Sequence, residues 1–262
     1  MTNYNFSDLE NKVVVIVGGF GLIGKEISKG FMKNNSHVVI ASRSNKDPSF
    51  LSLLRKMGKG KISFFPLDTS KEEEIDSLIK HIKKNLKKID VFVNCSWPKT
   101  KDWGVDIENV PFTSIKENLL LQLGSYYNLT QKIALLMKKQ KYGSIINFSS
   151  IYGLVAPTFS VYEGTKMTSP PAYPLVKGGI NMMTRYFASY FGKYNVRVNC
   201  ISPGGVYRNE DPKFVKKYSE ITPLGRMAYP EDLVMPTLFL ASEGSKYITG
   251  HNLLVDGGWT IH

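Results

Sequence analysis

Short runs of β-branched and other apolar residues alternate along the chain with longer stretches whose apolar positions recur every three or four residues. The short runs are Lys12–Val17, His37–Ala41, Lys61–Pro66, Asp90–Asn94, Ser144–Phe148, Val196–Ile201 and Asn252–Val255, each of strand length. The longer ones are Leu22–Asn34, Pro48–Met57, Lys71–Lys87, Ile115–Lys139, Pro174–Lys193 and Glu231–Ala241, each of helix length. Val13-Val-Val-Ile-Val17 offers water no polar face, so such strands must be covered on both sides. Parallel strands joined by crossover helices meet that requirement. The alternation predicts an α/β protein with a doubly wound parallel sheet of about seven strands and helices on both faces. No repeat, low-complexity tract or linker interrupts it, so residues 1–262 read as one domain.

Composition narrows the class. With 42% hydrophobic and 21% charged residues the chain is globular, neither disordered nor fibrous. A domain of this size buries roughly three-quarters of its unfolded surface, so it needs no covalent staples. Its two cysteines, Cys95 and Cys200, exclude a disulfide framework and a multi-thiolate metal site, and fit a reducing compartment. Four scattered histidines add no metal constellation. The polar, acid-bearing N-terminal segment is unlike a targeting peptide, and no run reaches the roughly 20 apolar residues of a membrane span. A cytoplasmic protein with no membrane partner is expected.

Charge changes the picture less than its size suggests. The net charge is +12, and only six of the 34 basic residues are Arg. Lys80, Lys83, Lys84, Lys87 and Lys88 form the polar stripe of an amphipathic helix. No aromatic stacking platform accompanies them, so the stripe reads as a solvated face and not as a nucleic-acid surface. The positive field still favours phosphate-bearing ligands.

Candidate chemistry enters at the turn after the first strand. Gly18 precedes Gly19-Phe20-Gly21-Leu22-Ile23-Gly24, which opens the first helix. Glycine is needed where a turn takes positive φ, where backbone approaches a pyrophosphate, and where helix packs closely on strand. The helix N-terminus adds open N–H groups and the positive end of its dipole. Strand, turn and helix in this order predict a Rossmann-like dinucleotide site, with residues Gly18 to Gly24 cradling the phosphates. The second strand ends Ile40-Ala-Ser42-Arg43-Ser44, with no carboxylate for the ribose 2′-hydroxyl of NAD. Ser42 and Arg43 suit the 2′-phosphate of NADP. NADP(H) is therefore the expected cofactor, and NAD(H) the alternative.

Further motifs follow in order. They are Asp68 after the third strand, Asp90-Val-Phe-Val-Asn94, Ile146-Asn-Phe-Ser-Ser150, Tyr173-Pro-Leu-Val-Lys177, Arg197-Val-Asn-Cys-Ile-Ser-Pro-Gly204 and Thr249-Gly-His-Asn-Leu-Leu-Val-Asp-Gly-Gly258. Together with the glycine turn they resemble the short-chain dehydrogenases/reductases over nearly the whole chain. The resemblance implies hydride transfer between a nicotinamide cofactor and a secondary alcohol or ketone, in a homotetramer or homodimer. It implies that Ser150 holds the substrate oxygen, that Tyr173 moves the proton, and that Lys177 lowers the phenol's pKa and holds the nicotinamide ribose. It also places Asp68 at the adenine, Asn94 and Ser96 beside the cofactor, and Pro203, Gly204 and Val206 at the nicotinamide. The residue types make chemical sense. Carbonyl reduction needs an acid/base at the oxygen. A free tyrosine, with a pKa of about 10, is a poor base, and a lysine at i+4 on the same helix face favours the phenolate.

Two Tyr-x-x-x-Lys pairs compete for that role. Tyr162 and Lys166 follow Ser150 at nearly the family's spacing, whereas Tyr173 and Lys177 follow it later. A helix from Tyr162 would run into Pro170-Pro171, but one from Tyr173 has Pro174 in its first turn, where proline is tolerated. Tyr173 and Lys177 are the assigned pair. Residues 156–171 are then an insertion on the substrate side, either a loop that shapes specificity or a tolerated surface excursion. The insertion and Pro203–Pro212 resemble a bacterial branch associated with flagellin modification and surface-polysaccharide sugars. That implies a sugar or nucleotide-sugar substrate, with Trp97, Tyr162 and Arg208 as candidate contacts.

Departures from the pattern also matter. Trp97 stands where the family has glycine and Val17 where it has threonine. The family's fourth-helix Asn falls on Gln122, taken here as the relay residue, or one turn earlier on Asn118. Arg226 is expected to pair with Glu231 or Asp232, and Trp259 to close the cofactor pocket or a subunit contact. Two other readings stay open: a sugar epimerase or dehydratase holding NAD(P) tightly, and a cofactor-binding scaffold without catalysis.

Overall fold

The computed structural model describes residues 6–44 and 47–261. Seven strands, β1 (Val13–Val17), β2 (His37–Ser42), β3 (Ile62–Pro66), β4 (Val91–Asn94), β5 (Gly143–Phe148), β6 (Val196–Pro203) and β7 (Asn252–Val255), form one parallel sheet in the order β3-β2-β1-β4-β5-β6-β7. Each expected strand is present to within two residues at its ends. Eight α-helices are described: α1 (Leu22–Lys33), α2 (Pro48–Arg55), α3 (Glu72–His81), α4 (Phe112–Asn118), α5 (Ser125–Gln140), α6 (Ala172–Phe191), α7 (Pro212–Glu220) and α8 (Val234–Ala241).

The all-apolar strands feed two cores. Val14, Ile16, Val38, Ile40 and Val91 pack with side chains of α1, α2 and α8. Val15, Val17, Val39, Ala41 and Phe92 pack with those of α3, α5 and α6. Successive strand residues point to opposite faces, which is why a run such as Val13–Val17 is buried at every position.

Three features depart from the periodicity. The helix expected over Lys71–Lys87 is α3 followed by a π turn, Ile82–Leu86, and it stops at Lys87, whose φ is +63°. The long helix expected over Ile115–Lys139 is α4 and α5 joined by a second π turn, Leu119–Gly124. A π turn slips the backbone ladder by one residue without erasing the apolar spacing, so the pattern reads as one helix. α7 was not expected, because few of its nine residues are apolar. Its start is nonetheless marked by Asp211, which accepts from the Lys213 amide at 2.8 Å, and by Pro212 in the first turn.

The strand order reverses between β1 and β4, so a crevice opens at their carboxyl ends, where α/β sheets bind ligands. Beside it the 156–171 insertion and α7 share a third apolar cluster with Tyr152, Val161, Phe214, Tyr218, Met227 and Trp259. The Lys217 ammonium ties the two segments, donating to the carbonyls of Ser160 (3.0 Å) and Glu163 (3.1 Å). Trp259 stacks on Tyr218 at 4.0 Å between ring centroids, so it braces α7 instead of closing the cofactor side. Arg226 takes Asp232, of its two expected partners, with two hydrogen bonds of 2.7 and 3.1 Å.

Candidate active site

The glycine turn is built by steric exclusion. Gly18 has φ of +84°, and a Cβ there would lie 2.9 Å from the Cys95 carbonyl. A Cβ on Gly24 would strike the Gly18 carbonyl oxygen, and one on Gly19 would press on Ile40. Positive φ thus falls on Gly18, outside the Gly19-x-Gly21-x-x-Gly24 spacing. Gly21 caps α1 without a side-chain acceptor, and no carboxylate occupies the first turn, which leaves open amides facing the crevice. These residues fit a dinucleotide pyrophosphate. The Phe20 ring instead turns inward against Phe50 and Phe64, so only its backbone is left for a ligand.

A cavity of about 550 Å³ runs from this turn across the carboxyl ends of the strands. Gly18, Gly21, Leu22, Ile23, Ser42, Arg43, Asp68 and Ser96 line one end; Ser150, Tyr173, Lys177, Pro203, Gly204 and Val206 line the middle; Trp97, Tyr162 and Arg208 line the far end. One cavity therefore gathers most of the residues singled out from sequence. Gly19, Phe20, Asn94 and Gln122 are not among its lining residues. Asn94 is fully buried beneath it, its Oδ1 accepting from the Ser96 hydroxyl at 2.7 Å. Gln122 is buried in the second π turn and donates to Asn118 Oδ1 at 3.3 Å, while Asn118 itself is held by Thr100 and Ser114. At the Arg43 end of the cavity, burial pushes the Asp68 carboxyl up, but the Ser70 hydroxyl and amide, then Arg43 and Lys71, bring it below its ordinary value.

Tyr173 and Lys177 share one face of α6, and Ser150 ends the segment after β5. Lys177 is buried, its Nζ donating to the Phe148 carbonyl at 3.0 Å and lying 5.6 Å from the centre of the Tyr173 ring. Burial brings its ammonium down to about 8. Burial also pushes the Tyr173 phenol up, against smaller downward pulls from the Ser150 hydroxyl and the Arg208 charge. The rival pair is separated: Tyr162 lies in a short 3₁₀ turn and Lys166 is exposed.

The far end is aromatic. Tyr173 is ringed by Trp97 (6.0 Å between centroids), Trp103 (6.0 Å) and Tyr152 (6.3 Å), and Tyr162 packs on Phe214 at 5.1 Å. Trp103, Tyr126, Tyr152, Phe214, Tyr218 and Glu210 are lining residues that the motifs did not indicate. All but Glu210, which lies in the Pro203–Pro212 segment, come from segments with no motif of their own. Only the α7 cap, Asp211-Pro212, signalled the element that delivers Phe214 and Tyr218.

Residues 22–260 match the family model described as Enoyl-(Acyl carrier protein) reductase. The chain is 36% identical to post-translational flagellin modification protein A of Campylobacter coli, over 97% of this chain and all of the relative. The chain belongs to the short-chain dehydrogenase/reductase family. As a short-chain dehydrogenase/reductase it is an oxidoreductase, and its seven-stranded sheet is that of its solved relatives. A short-chain dehydrogenase from Leptospira borgpetersenii, solved with bound NAD+, is 32% identical and superposes with a TM-score of 0.87, covering 99% of this chain and 97% of its own. A 3-oxoacyl-[acyl-carrier-protein] reductase of Chlamydia trachomatis is 30% identical over 95% of this chain and 98% of the relative. Those two curated relatives bear very different names, so membership of the short-chain dehydrogenase/reductase family does not choose the substrate. Among the described residues no helix is long and apolar enough to cross a membrane.

Proposed function

We propose that this short-chain dehydrogenase/reductase interconverts a secondary alcohol and a ketone on a sugar or nucleotide-sugar, uses NADP(H) in preference to NAD(H), and works as a homo-oligomer. The observation that carries the reading is the single cavity with the glycine turn and Arg43 at one end, Ser150, Tyr173 and Lys177 in the middle, and an aromatic wall at the other. The bound cofactor would supply or accept the hydride. The chain's own groups do the rest. The open amides of α1 hold phosphate, and Arg43 with Ser42 meets a 2′-phosphate where NAD-specific sites place a carboxylate. Ser150 orients the substrate oxygen, and the Tyr173 hydroxyl gives a proton to it or takes one from it. Lys177 holds a ribose hydroxyl, and Gln122, in the π turn and hydrogen-bonded to Asn118 at the end of α4, is the relay residue. Trp97, Trp103 and Tyr162 exclude water and present flat faces to the apolar side of a sugar ring. The flagellin-modification relative supports a carbohydrate substrate.

The test is a fluorescence titration with NADPH and NADH, run alongside turnover assays on keto-sugars. The wild type should bind NADPH about tenfold or more tightly than NADH, as a charge-assisted contact would give, and Arg43→Ala should erase the difference. Tyr173→Phe should keep NADPH affinity and lose turnover by about 100-fold or more. Equal affinity for the two cofactors would refute the Arg43 assignment. Full activity in Tyr173→Phe would refute the proton path.

A further inference from the structure

The far end of the cavity holds one ion pair whose geometry is built for something outside the chain. Arg208 and Glu210 flank Asn209, whose φ of +65° folds the loop between β6 and α7 back on itself. The Glu210 side chain is only 7% exposed, and its carboxylate accepts from the Arg208 amide at 2.7 Å and from Arg208 Nε at 3.0 Å. A carboxylate this deeply buried needs such partners, and Arg208 supplies them with its backbone and one edge of its side chain. That commitment orients the guanidinium, although the Arg208 side chain itself is 52% exposed. Its two terminal nitrogens have no hydrogen-bond partner among the described residues, and the group lies 5.3 Å from the centre of the Trp97 ring. Two parallel N–H donors on a guanidinium backed by an aromatic face match the geometry of an oxyanion.

A second observation points the same way. Ser169, in the insertion, lines the same cavity; it is 7% exposed, and its hydroxyl lies within reach of the Tyr162 phenol but makes no well-formed hydrogen bond among the described residues. A buried hydroxyl without a well-formed hydrogen bond is a place where a ligand hydroxyl can bind. We propose that Arg208, held in place by Glu210, grips a phosphate or carboxylate on the sugar substrate, while the sugar ring lies against Trp97 and one of its hydroxyls meets Ser169. This rests on the alcohol/ketone reading, because Tyr173 fixes where the reacting carbon sits. Trp97 neighbours both the Tyr173 ring (6.0 Å between centroids) and the guanidinium (5.3 Å from the indole ring centre), so a sugar lying against Trp97 spans from the reacting group to the anion-holding one. Arg43 lies at the opposite end of the cavity and is left to the cofactor. The anion-holding group is therefore distinct from the cofactor's, and it selects charged sugars over neutral ones.

Trp97 makes the proposal measurable, since an anion drawn to Arg208 changes the surroundings of the indole. Tryptophan fluorescence of the full chain is followed during titration with glucose 6-phosphate, glucuronate and glucose. The wild type, Arg208→Gln and Arg208→Lys are compared, with NADPH affinity measured on each. At least one anionic sugar should bind about tenfold more tightly than glucose in the wild type. The preference should vanish in Arg208→Gln and return in part in Arg208→Lys, with NADPH affinity unchanged in both. A lead for glucose 6-phosphate assigns phosphate, and a lead for glucuronate assigns carboxylate. Anionic sugars that bind no better than glucose overturn the proposal. So does a preference that survives in Arg208→Gln, which the overall positive charge alone would produce. Failure of the wild type to bind NADPH would count against the cofactor reading and leave the sugar titration to be judged separately.

Discussion

Lys177 carries a cost that the fold tolerates for the sake of its position. It is 5% exposed, and among the described residues its ammonium makes one hydrogen bond, to the Phe148 carbonyl. Burial lowers its pKa from 10.5 to about 8. Below pH 8 it is charged in both folded and unfolded chains, and the penalty of burying that charge is fully present. Between about 8 and 10.5 the unfolded chain binds more protons than the folded one, so stability rises with pH, and above 10.5 the penalty is gone. The window is worth roughly 3 kcal/mol at about 1.4 kcal/mol per pH unit. Lys177→Met removes the titrating group and keeps most of the volume. Urea unfolding at intervals across this window should show the wild type gaining on Lys177→Met by about that amount, with a flat difference below pH 8. A difference that stays constant up to pH 10 would mean that Lys177 keeps its proton in the folded protein.

Elements differ in how openly the sequence declares them. β1 and β4 could be read because a strand buried on both faces must be apolar throughout, and the glycine turn because each glycine answers a steric demand. Tyr173 could be told from Tyr162 because Pro170-Pro171 forbids a helix between them. The π turns could not be read, since a one-residue slip leaves the apolar spacing intact. The aromatic wall was also hidden, because Trp103, Tyr152 and Phe214 lie far apart in sequence and meet only through packing. α7 was legible only at its cap, yet it and the insertion behave as a pair. Phe214 is 5% exposed and wedged between Tyr162 and Tyr218, with ring centroids 5.1 and 5.7 Å away. Phe214→Ala should cost about 3 kcal/mol, most of it local to this cluster, because its neighbours cannot fully refill the space. Trypsin should then cut after the exposed Lys166 several-fold faster, while NADPH affinity stays within about twofold. Unchanged cleavage at Lys166 would show that the insertion holds its place without α7.

At the scale of the whole molecule two opposing terms decide how copies of the chain meet. α6 exposes an apolar stripe along one face: Leu175, Met182, Tyr186 and Tyr190 are 54%, 62%, 66% and 49% exposed. Leu120 and Tyr127, 73% and 45% exposed, add to the apolar surface of the neighbouring helical segment. Apolar surface of this kind on a folded chain favours association. A net charge of +12 on every copy opposes it. Charge repulsion acts over a Debye length, about 10 Å at 0.1 M salt and about 30 Å at 0.01 M, whereas the apolar contact does not weaken with salt. Assembly should therefore strengthen as salt rises, the reverse of what an interface built on ion pairs would do. Light scattering after size-exclusion chromatography should show a larger species at moderate salt and partial dissociation at low salt. Met182→Glu with Tyr186→Glu should give a monomer at both, because the stripe would then hold two carboxylates that an interface cannot bury unpaired. A double variant that still assembles would move the interface to another face. A wild type that comes apart as salt is raised would show that charge, and not the α6 stripe, holds the copies together.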